Sequence, residues 1–149
     1  MKFVFQLEKI LKHKRMMEDL AKREWAEAQA VVDEGMKELN KMYAQIDEVR
    51  QMGLARETAG DARGFELGQV DAFINGHKIR IERHRQQLRL LMGKAEELHE
   101  KLVMAARERK TFEKLRENKY EEYKAMRKKM DLKQMDELAT TRFKGNAEK

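Results

Sequence analysis

Histidine is the residue type in this chain best suited to metal or acid–base chemistry, and there are four of them. Two, His77 and His84, lie seven residues apart among arginines. In a helix, seven residues rise by about 10 Å, whereas the ligands of one zinc ion each lie about 2 Å from it. Because the chain has no cysteine, thiolate zinc sites and disulfides are also excluded. We predict that no metal is bound.

The other patterns that could support catalysis are incomplete. The stretch "HEKLV", which begins at His99, lacks the second histidine of a zinc-protease helix. No predicted strand precedes the central glycines and no Gly-Lys-Ser/Thr follows them, so they form no phosphate loop. Carboxylates alternate with basic residues at helical spacings, as at Glu18 with Lys22 and around Glu113, which predicts exposed surface ion pairs. We therefore predict no catalytic residue, no cofactor and no enzyme activity.

The elements that carry these residues must be long helices. Charged residues make up 40% of the 149 residues, aromatic residues 7%, and proline is absent, a composition typical of long helices and coiled coils. The apolar residues recur periodically, which argues against disorder. No stretch approaches the roughly 18 apolar residues that cross a bilayer, and no signal peptide is recognisable. We therefore expect a cytoplasmic, soluble protein.

The net charge of +6 is concentrated in the last third of the sequence. Residues 1–50 and 51–100 each carry equal numbers of basic and acidic side chains, whereas residues 101–149 carry 15 basic and 9 acidic ones. A basic end indicates an acidic partner surface, a class that includes nucleic acid, anionic lipid and acidic protein faces.

Glycines near the middle divide the sequence into two helical segments. The cluster contains Gly53, Gly60, Gly64 and Gly68, and a short glycine-bearing connection favours an antiparallel hairpin. Asp61 is the expected N-cap of the second helix. We predict an all-α fold, a long antiparallel two-helix coiled coil in which helix two is longer than helix one. The single predicted domain, 1–149, comprises helix one at about 3–52, a turn at about 53–61, helix two at about 62–140 and a frayed tail at 141–149.

Both helices carry apolar stripes. Along helix one, apolar or small residues recur at steps of mostly three and four: Leu7, Ile10, Met17, Ala21, Ala28, Val31, Gly35, Leu39, Met42, Ile46 and Val49. Helix two repeats every seven residues, which predicts a left-handed supercoil. One of its seam positions reads Val70, His77, His84, Leu91, Leu98, Ala105, Phe112, Lys119 and Met126. The other reads Ile74, Ile81, Leu88, Ala95, Leu102, Arg109, Arg116, Tyr123 and Met130.

Polar residues interrupt the seam of helix two. They are His77, His84, Arg109, Arg116 and Lys119. A half-wet two-helix core tolerates long basic side chains, because their stems pack while the charge reaches water. Alternatively, polar seam residues weaken or register the pairing at places where the chain must bind another molecule. The sequence leaves both interpretations open.

A basic band in helix two is the main argument for nucleic-acid binding. Its members are Lys78, Arg80, Arg83, Arg85 and Arg89, with Glu82 as the lone acid among them. Such a band suffices for electrostatic binding to phosphate, or to an anionic membrane surface. However, no aromatic residues alternate with it for base stacking and no reader motif is present. No nucleic acid is expected, and a basic nucleic-acid-binding coiled coil or a generic dimeric scaffold stays the alternative.

Three segments resemble the FliJ family of the bacterial flagellar type III export apparatus. The opening "FQLEKILKHKRMMEDLAKREWAEA" is similar to the amphipathic start of that family. The central "FINGHKIRIERHRQQL" resembles its pattern of Phe-Ile, a later Ile, then His-Arg and Leu. The tail "MDLKQMDELA" resembles its ending of Met-Asp, a Lys, then Met-Asp-Glu. The resemblance extends over nearly the whole chain and includes the two-helix plan.

The resemblance implies a non-enzymatic component needed for flagellum assembly and motility. Members of this family resemble the central stalk of rotary ATPases and stand in the pore of the hexameric export ATPase FliI, which FliH regulates. They contact the cytoplasmic domain of the gate protein FlhA and escort export chaperones. The expected location is the cytoplasmic face of the inner membrane at the flagellar base.

The resemblance also implies two sets of contact residues. Phe73 and His84 match the gate-binding surface of the family, and His77 and Arg80 occupy two further positions of it where an apolar and a small residue are usual. The end that carries both chain termini is expected to enter the ATPase ring. Its candidate contact residues are Leu7, Ile10, Met130, Lys133, Met135 and Asp136.

Overall fold

A computed structural model describes residues 2–58, 60 and 64–147 of the chain. They form two helices, α1 over Glu8–Thr58 and α2 over Gly64–Ala147, and the described residues contain no strand. The predicted all-α architecture, with a longer second helix, is confirmed. Asp61, the predicted N-cap, lies outside the described residues.

The chain divides into two compact units. The hairpin unit is Leu20–Val103 and contains the connection between the helices, and the terminal unit combines Met1–Asp19 with Met104–Lys149. In the hairpin unit the helices run antiparallel, because Gly35 lies beside Leu88, whereas Gly53, later in α1, lies beside Val70, earlier in α2. The assignment of all 149 residues to a single domain stays a prediction.

A continuous apolar seam joins the two helices of the hairpin unit. Val70, Leu91 and three other partly buried apolar residues pack against its buried members, and full burial of one such aliphatic side chain contributes about 1.5–3 kcal/mol. The seven-residue repeat predicted for α2 is therefore confirmed in this unit. The buried members are Val32, Leu39, Ile46, Ile74, Ile81, Leu88 and Ala95.

The predicted stripe of α1 is wrong by one residue at three places. Residues 42–50% exposed stand where burial was predicted: Ile10, Met17 and Val31. Their C-terminal neighbours are buried instead, at 0–5% exposure: Leu11, Glu18 and Val32. The buried set follows a seven-residue repeat, but its second member is a charged glutamate. A search for apolar periodicity passes over that position and selects the adjacent apolar residues.

The boundaries of α1 also differ from the predicted 3–52. The helix begins at Glu8, whose N–H donates to the carbonyl of the buried Phe5 over 3.2 Å, and residues 2–7 are not helical. It continues past Gly53 to Thr58. A Cβ at Gly53 would contact Val70 at 3.6 Å, so this glycine is a seam position and not a break.

Helix α2 ends at Ala147 rather than near residue 140. The hydroxyls of Thr140 and Thr141 donate to the carbonyls of Asp136 and Glu137 at 2.7 and 2.8 Å, bonds that are compatible with a continued helix. No proline interrupts the segment. The tail predicted to fray at 141–149 is therefore helical as far as residue 147.

Candidate partner-binding surfaces

The hairpin unit places two of the predicted gate-binding residues in contact. The rings of Phe73 and His77 stack with centroids 4.4 Å apart at an interplanar angle of 25°. His77 is buried at 7% exposure, and its Nε2 lies 2.7 Å from Oε1 of Gln45 on α1. Phe73 remains 42% exposed. The phenyl ring is therefore the accessible part of this pair, and it packs on the buried ring of His77.

His84 is held against the backbone of α1. Its Nε2 donates to the carbonyl of Gly35 over 2.8 Å, which requires a proton on that nitrogen. A Cβ at Gly35 would lie 2.8 Å from Cδ1 of the buried Leu88, so the leucine side chain would have to shift. His84 is half-buried and Arg80 is exposed. Of the four predicted gate residues, Phe73 and Arg80 are thus the most accessible to a partner.

Arg109 stands at the centre of a network of ion pairs between the helices of the terminal unit. It donates to the buried Glu18 of α1, and its Nη1 donates to Glu113 over 2.7 Å. Arg15 of α1 donates to the same Glu113 over 3.1 Å. The prediction that Glu18 is an exposed surface carboxylate is therefore wrong, because its side chain is buried. The sequence did not indicate this burial, since the arginine that pairs with Glu18 is 91 residues away.

Further polar residues are paired across the terminal unit. Arg116 donates to Glu8 over 3.0 Å, and Lys14 donates to Glu108 over 2.9 Å. Together with the hydrogen bonds of the two histidines, these pairs show that the polar seam residues contribute to the pairing of the helices. The energy of each exposed pair is small, in the range of 0–1 kcal/mol.

The network shifts the pKa of two of its members. The hydrogen bond to Glu18 is the main cause that raises the pKa of Arg109, and it outweighs burial, which acts in the opposite direction. Burial acts to raise the pKa of Glu113, but the hydrogen bonds and charges of Arg15 and Arg109 together outweigh it, so that pKa is lowered. Both shifts favour the charged forms that the ion pairs require.

The lowered pKa of Glu113 predicts a loss of stability in acid. Its contribution is complete above the ordinary glutamate pKa of about 4.3 and disappears as the pH falls through the lower folded-state value. We expect Glu113→Gln and Arg15→Gln each to reduce the fall in melting temperature between pH 6 and pH 3, measured by circular dichroism. A Glu113→Gln chain whose melting temperature falls as steeply as that of the unsubstituted chain would contradict this assignment.

An aromatic cluster fixes the N-terminal segment to α2. The ring of Phe3 lies 5.2 Å from that of Tyr120 at an angle of 68°, and 5.5 Å from that of Tyr123. The guanidinium of Arg116 lies 5.7 Å from the centroid of the same phenyl ring. Residues 2–7 border a groove of about 510 Å³ that Tyr123 and Met126 also line. This cluster was not predicted from the sequence, in which the spacing of Tyr120 and Tyr123 on one helix face is its only signal.

The predicted ring contacts are all in the terminal unit, but not in one place. Leu7 is half-buried and lines the groove beside Met126, whereas Ile10 is 42% exposed on α1. Met130 lines an adjacent depression that shares Tyr123 and Met126 with the groove. The remaining three residues are exposed further along α2: Lys133, Met135 and Asp136.

The described ranges contain neither a metal cluster nor a membrane span. No group of three or more histidine, aspartate or glutamate side chains is arranged there to hold a metal ion. Over the same residues, neither helix contains a segment apolar enough to cross a bilayer.

These features define an antiparallel two-helix coiled coil with a seam that is apolar in one unit and rich in ion pairs in the other. The family model described as "Flagellar FliJ protein" matches residues 1–148. The chain belongs to the FliJ family, and it is a component of the flagellar export apparatus. No curated protein and no solved structure matched the chain in the comparisons.

Proposed function

We propose that the chain is the central stalk of the flagellar export ATPase ring and that it couples this ring to the export gate. The ATPase is FliI, with FliH as its regulator, and the gate contact is the cytoplasmic domain of FlhA. In this role the chain is not an enzyme, and it escorts export chaperones at the cytoplasmic face of the inner membrane. Family membership supports the general setting.

The exposed C-terminal part of α2, residues 124–146, is the main support for the stalk proposal. Within the terminal unit, every side chain from Lys124 to Asn146 is exposed, although Met126 and Met130 continue the seam positions of α2. Beyond the groove that residues 2–7 border with Met126, a helix that carries seam residues on an exposed surface is suited to insertion into a protein that surrounds it. Its predominantly polar surface is compatible with a contact in which the helix must also move against the surrounding ring.

The stalk proposal is tested by binding of the full chain to FliI. We expect purified FliI to be retained by the immobilised chain at modest salt, and less of it to be retained as salt rises, since the end of the chain is basic. If the immobilised chain retains no FliI at modest salt, the proposal is contradicted.

Phe73 is the expected main contact with the gate protein. We predict that Phe73→Ala weakens binding to the cytoplasmic domain of FlhA about tenfold, because truncation of an exposed aromatic anchor costs roughly 1–2 kcal/mol. His84→Ala is expected to weaken the same contact. It should also destabilise the hairpin by about 1 kcal/mol, because the hydrogen bond to Gly35 is lost.

Met92→Ala is the matched control for the gate contact, because Met92 is 50% exposed on the same helix and was not assigned to this surface. Isothermal titration calorimetry gives the affinities, and thermal melts show whether each variant is folded. If Phe73→Ala and His84→Ala both bind the gate domain normally, the surface has been placed wrongly.

A further inference from the structure

The face of α2 that points away from α1 in the hairpin unit presents two isolated aliphatic side chains. Ile79 is 57% exposed and Leu90 is 76% exposed. They belong to a row at spacings of three and four, which keeps its members on one side of the helix. This outer row consists of Gly76, Ile79, Arg83, Gln86, Leu90 and Gly93.

A concentration of positive charge surrounds the outer row. Residues 76–93 contain five lysine or arginine side chains and one acid, Glu82. Among the residues that the structure describes, only Arg85 of these five has an ion pair, with Glu82 at 3.9 Å. Arg83 lies within the row, and Arg89 precedes Leu90. The apolar side chains are thus flanked by cations that lack a counter-charge in the described part of the chain.

The glycines at the two ends of the row have no packing role within the described structure. A Cβ at Gly76 or at Gly93 would meet no atom within 4 Å, in contrast to Gly35, where a Cβ would lie 2.8 Å from Cδ1 of Leu88. Glycine is the least favourable residue in a helix interior apart from proline. Their lack of side chains leaves room for close approach by another backbone.

We propose that the outer row docks an acidic amphipathic helix of another protein. The apolar face of that helix covers Ile79 and Leu90, and its carboxylates pair with Arg83 and Arg89. The row from Gly76 to Gly93 extends over about 25 Å, which matches a partner helix of similar length. Nucleic acid fits less well, because phosphate contacts make no use of the aliphatic side chains. The outer row itself contains none of the gate candidates Phe73, His77, Arg80 and His84.

The docking proposal can be tested with a synthetic helix and the full chain. The probe is a 20-residue peptide of alanine, leucine and glutamate with one leucine face, and its control carries glutamine in place of glutamate. We expect the acidic probe to bind in fluorescence anisotropy and the glutamine probe to bind at least about tenfold more weakly. Ile79→Gln combined with Leu90→Gln should weaken the acidic probe about tenfold and leave the helical circular dichroism unchanged.

The glycines supply a test with effects of opposite sign. The double variant Gly76→Ala and Gly93→Ala should raise the melting temperature by several degrees. It should also weaken binding of the acidic probe, because the added methyl groups keep the partner helix at a larger distance. Improved stability together with weaker binding separates a lost contact from a damaged fold. Unchanged or stronger binding of the probe by this variant would contradict close backbone approach at the row.

Three results would overturn the proposal. The first is equal affinity of the chain for the acidic and the glutamine probes, or equal affinity of the Ile79→Gln and Leu90→Gln variant and the unsubstituted chain for the acidic probe. The second is binding to vesicles of anionic phosphatidylglycerol that depends on these two residues, without binding of the acidic probe, because the occupant is then a lipid surface. The third is dimerisation of the chain in sedimentation that the same variant abolishes, because the occupant is then a second copy.

Discussion

The double substitution Met130→Gln and Met135→Gln is expected to weaken binding of the chain to FliI about 100-fold. The two side chains are 45% and 68% exposed on the exposed C-terminal part of α2. Burial of each one in the ring contributes about 1.5 kcal/mol, and the combined loss of about 3 kcal/mol corresponds to a factor of about 100. Glutamine keeps the helix propensity close to that of methionine, so the helical content should not change.

Met104→Gln is the matched control for this prediction. Met104 is also on α2 in the terminal unit and is 63% exposed, but it precedes the part of α2 that pairs with the ion-pair residues of α1. Biosensor titrations against assembled FliI should give an affinity for this variant within about twofold of that of the unsubstituted chain. An equal loss of affinity in both variants would show that the methionines act through the fold and not through a ring contact.

Leu11→Ala is expected to lower the free energy of unfolding by about 3 kcal/mol. Leu11 is 0% exposed and is the largest fully buried side chain in the described part of the chain. Its truncation removes apolar contacts and leaves a cavity between the helices of the terminal unit, where charged residues supply much of the remaining seam. Urea unfolding followed by circular dichroism gives the change directly.

The adjacent Ile10 provides the control for this experiment, because it is 42% exposed and was the predicted stripe residue. Ile10→Ala should cost less than about 1 kcal/mol. A larger cost for Ile10→Ala than for Leu11→Ala would restore the apolar stripe predicted from the sequence and contradict the observed register of α1.

One seam position of α2 could be predicted because its repeat is entirely apolar through the hairpin unit. Ile74, Ile81, Leu88 and Ala95 are spaced by seven residues, and all four are buried. The seam of α1 could not be read in the same way, because Glu18 occupies a core position. Its burial depends on Arg109, which is 91 residues away, and such a partner becomes visible only when the helices are paired.

The N-terminal segment was mispredicted for a similar reason. Phe3 and Phe5 suggest the start of an amphipathic helix, yet Phe5 is buried before the helix begins and Phe3 packs on two tyrosines of α2. Local helix propensity competes here with long-range aromatic burial, and the burial prevails. The same holds for the gate candidates. Their residue types could be recognised in the sequence, but the hydrogen bonds of His77 and His84 to α1 could not be predicted from it.

Native mass spectrometry of the chain mixed with assembled FliI distinguishes a stalk in the ring from other modes of binding. A single stalk in the pore of a hexameric ring predicts a complex of six FliI subunits with one 17.7 kDa chain. The Met130→Gln and Met135→Gln variant should leave the hexamer without this added mass. A complex with one chain for every FliI subunit, or no complex at modest salt, would contradict the stalk.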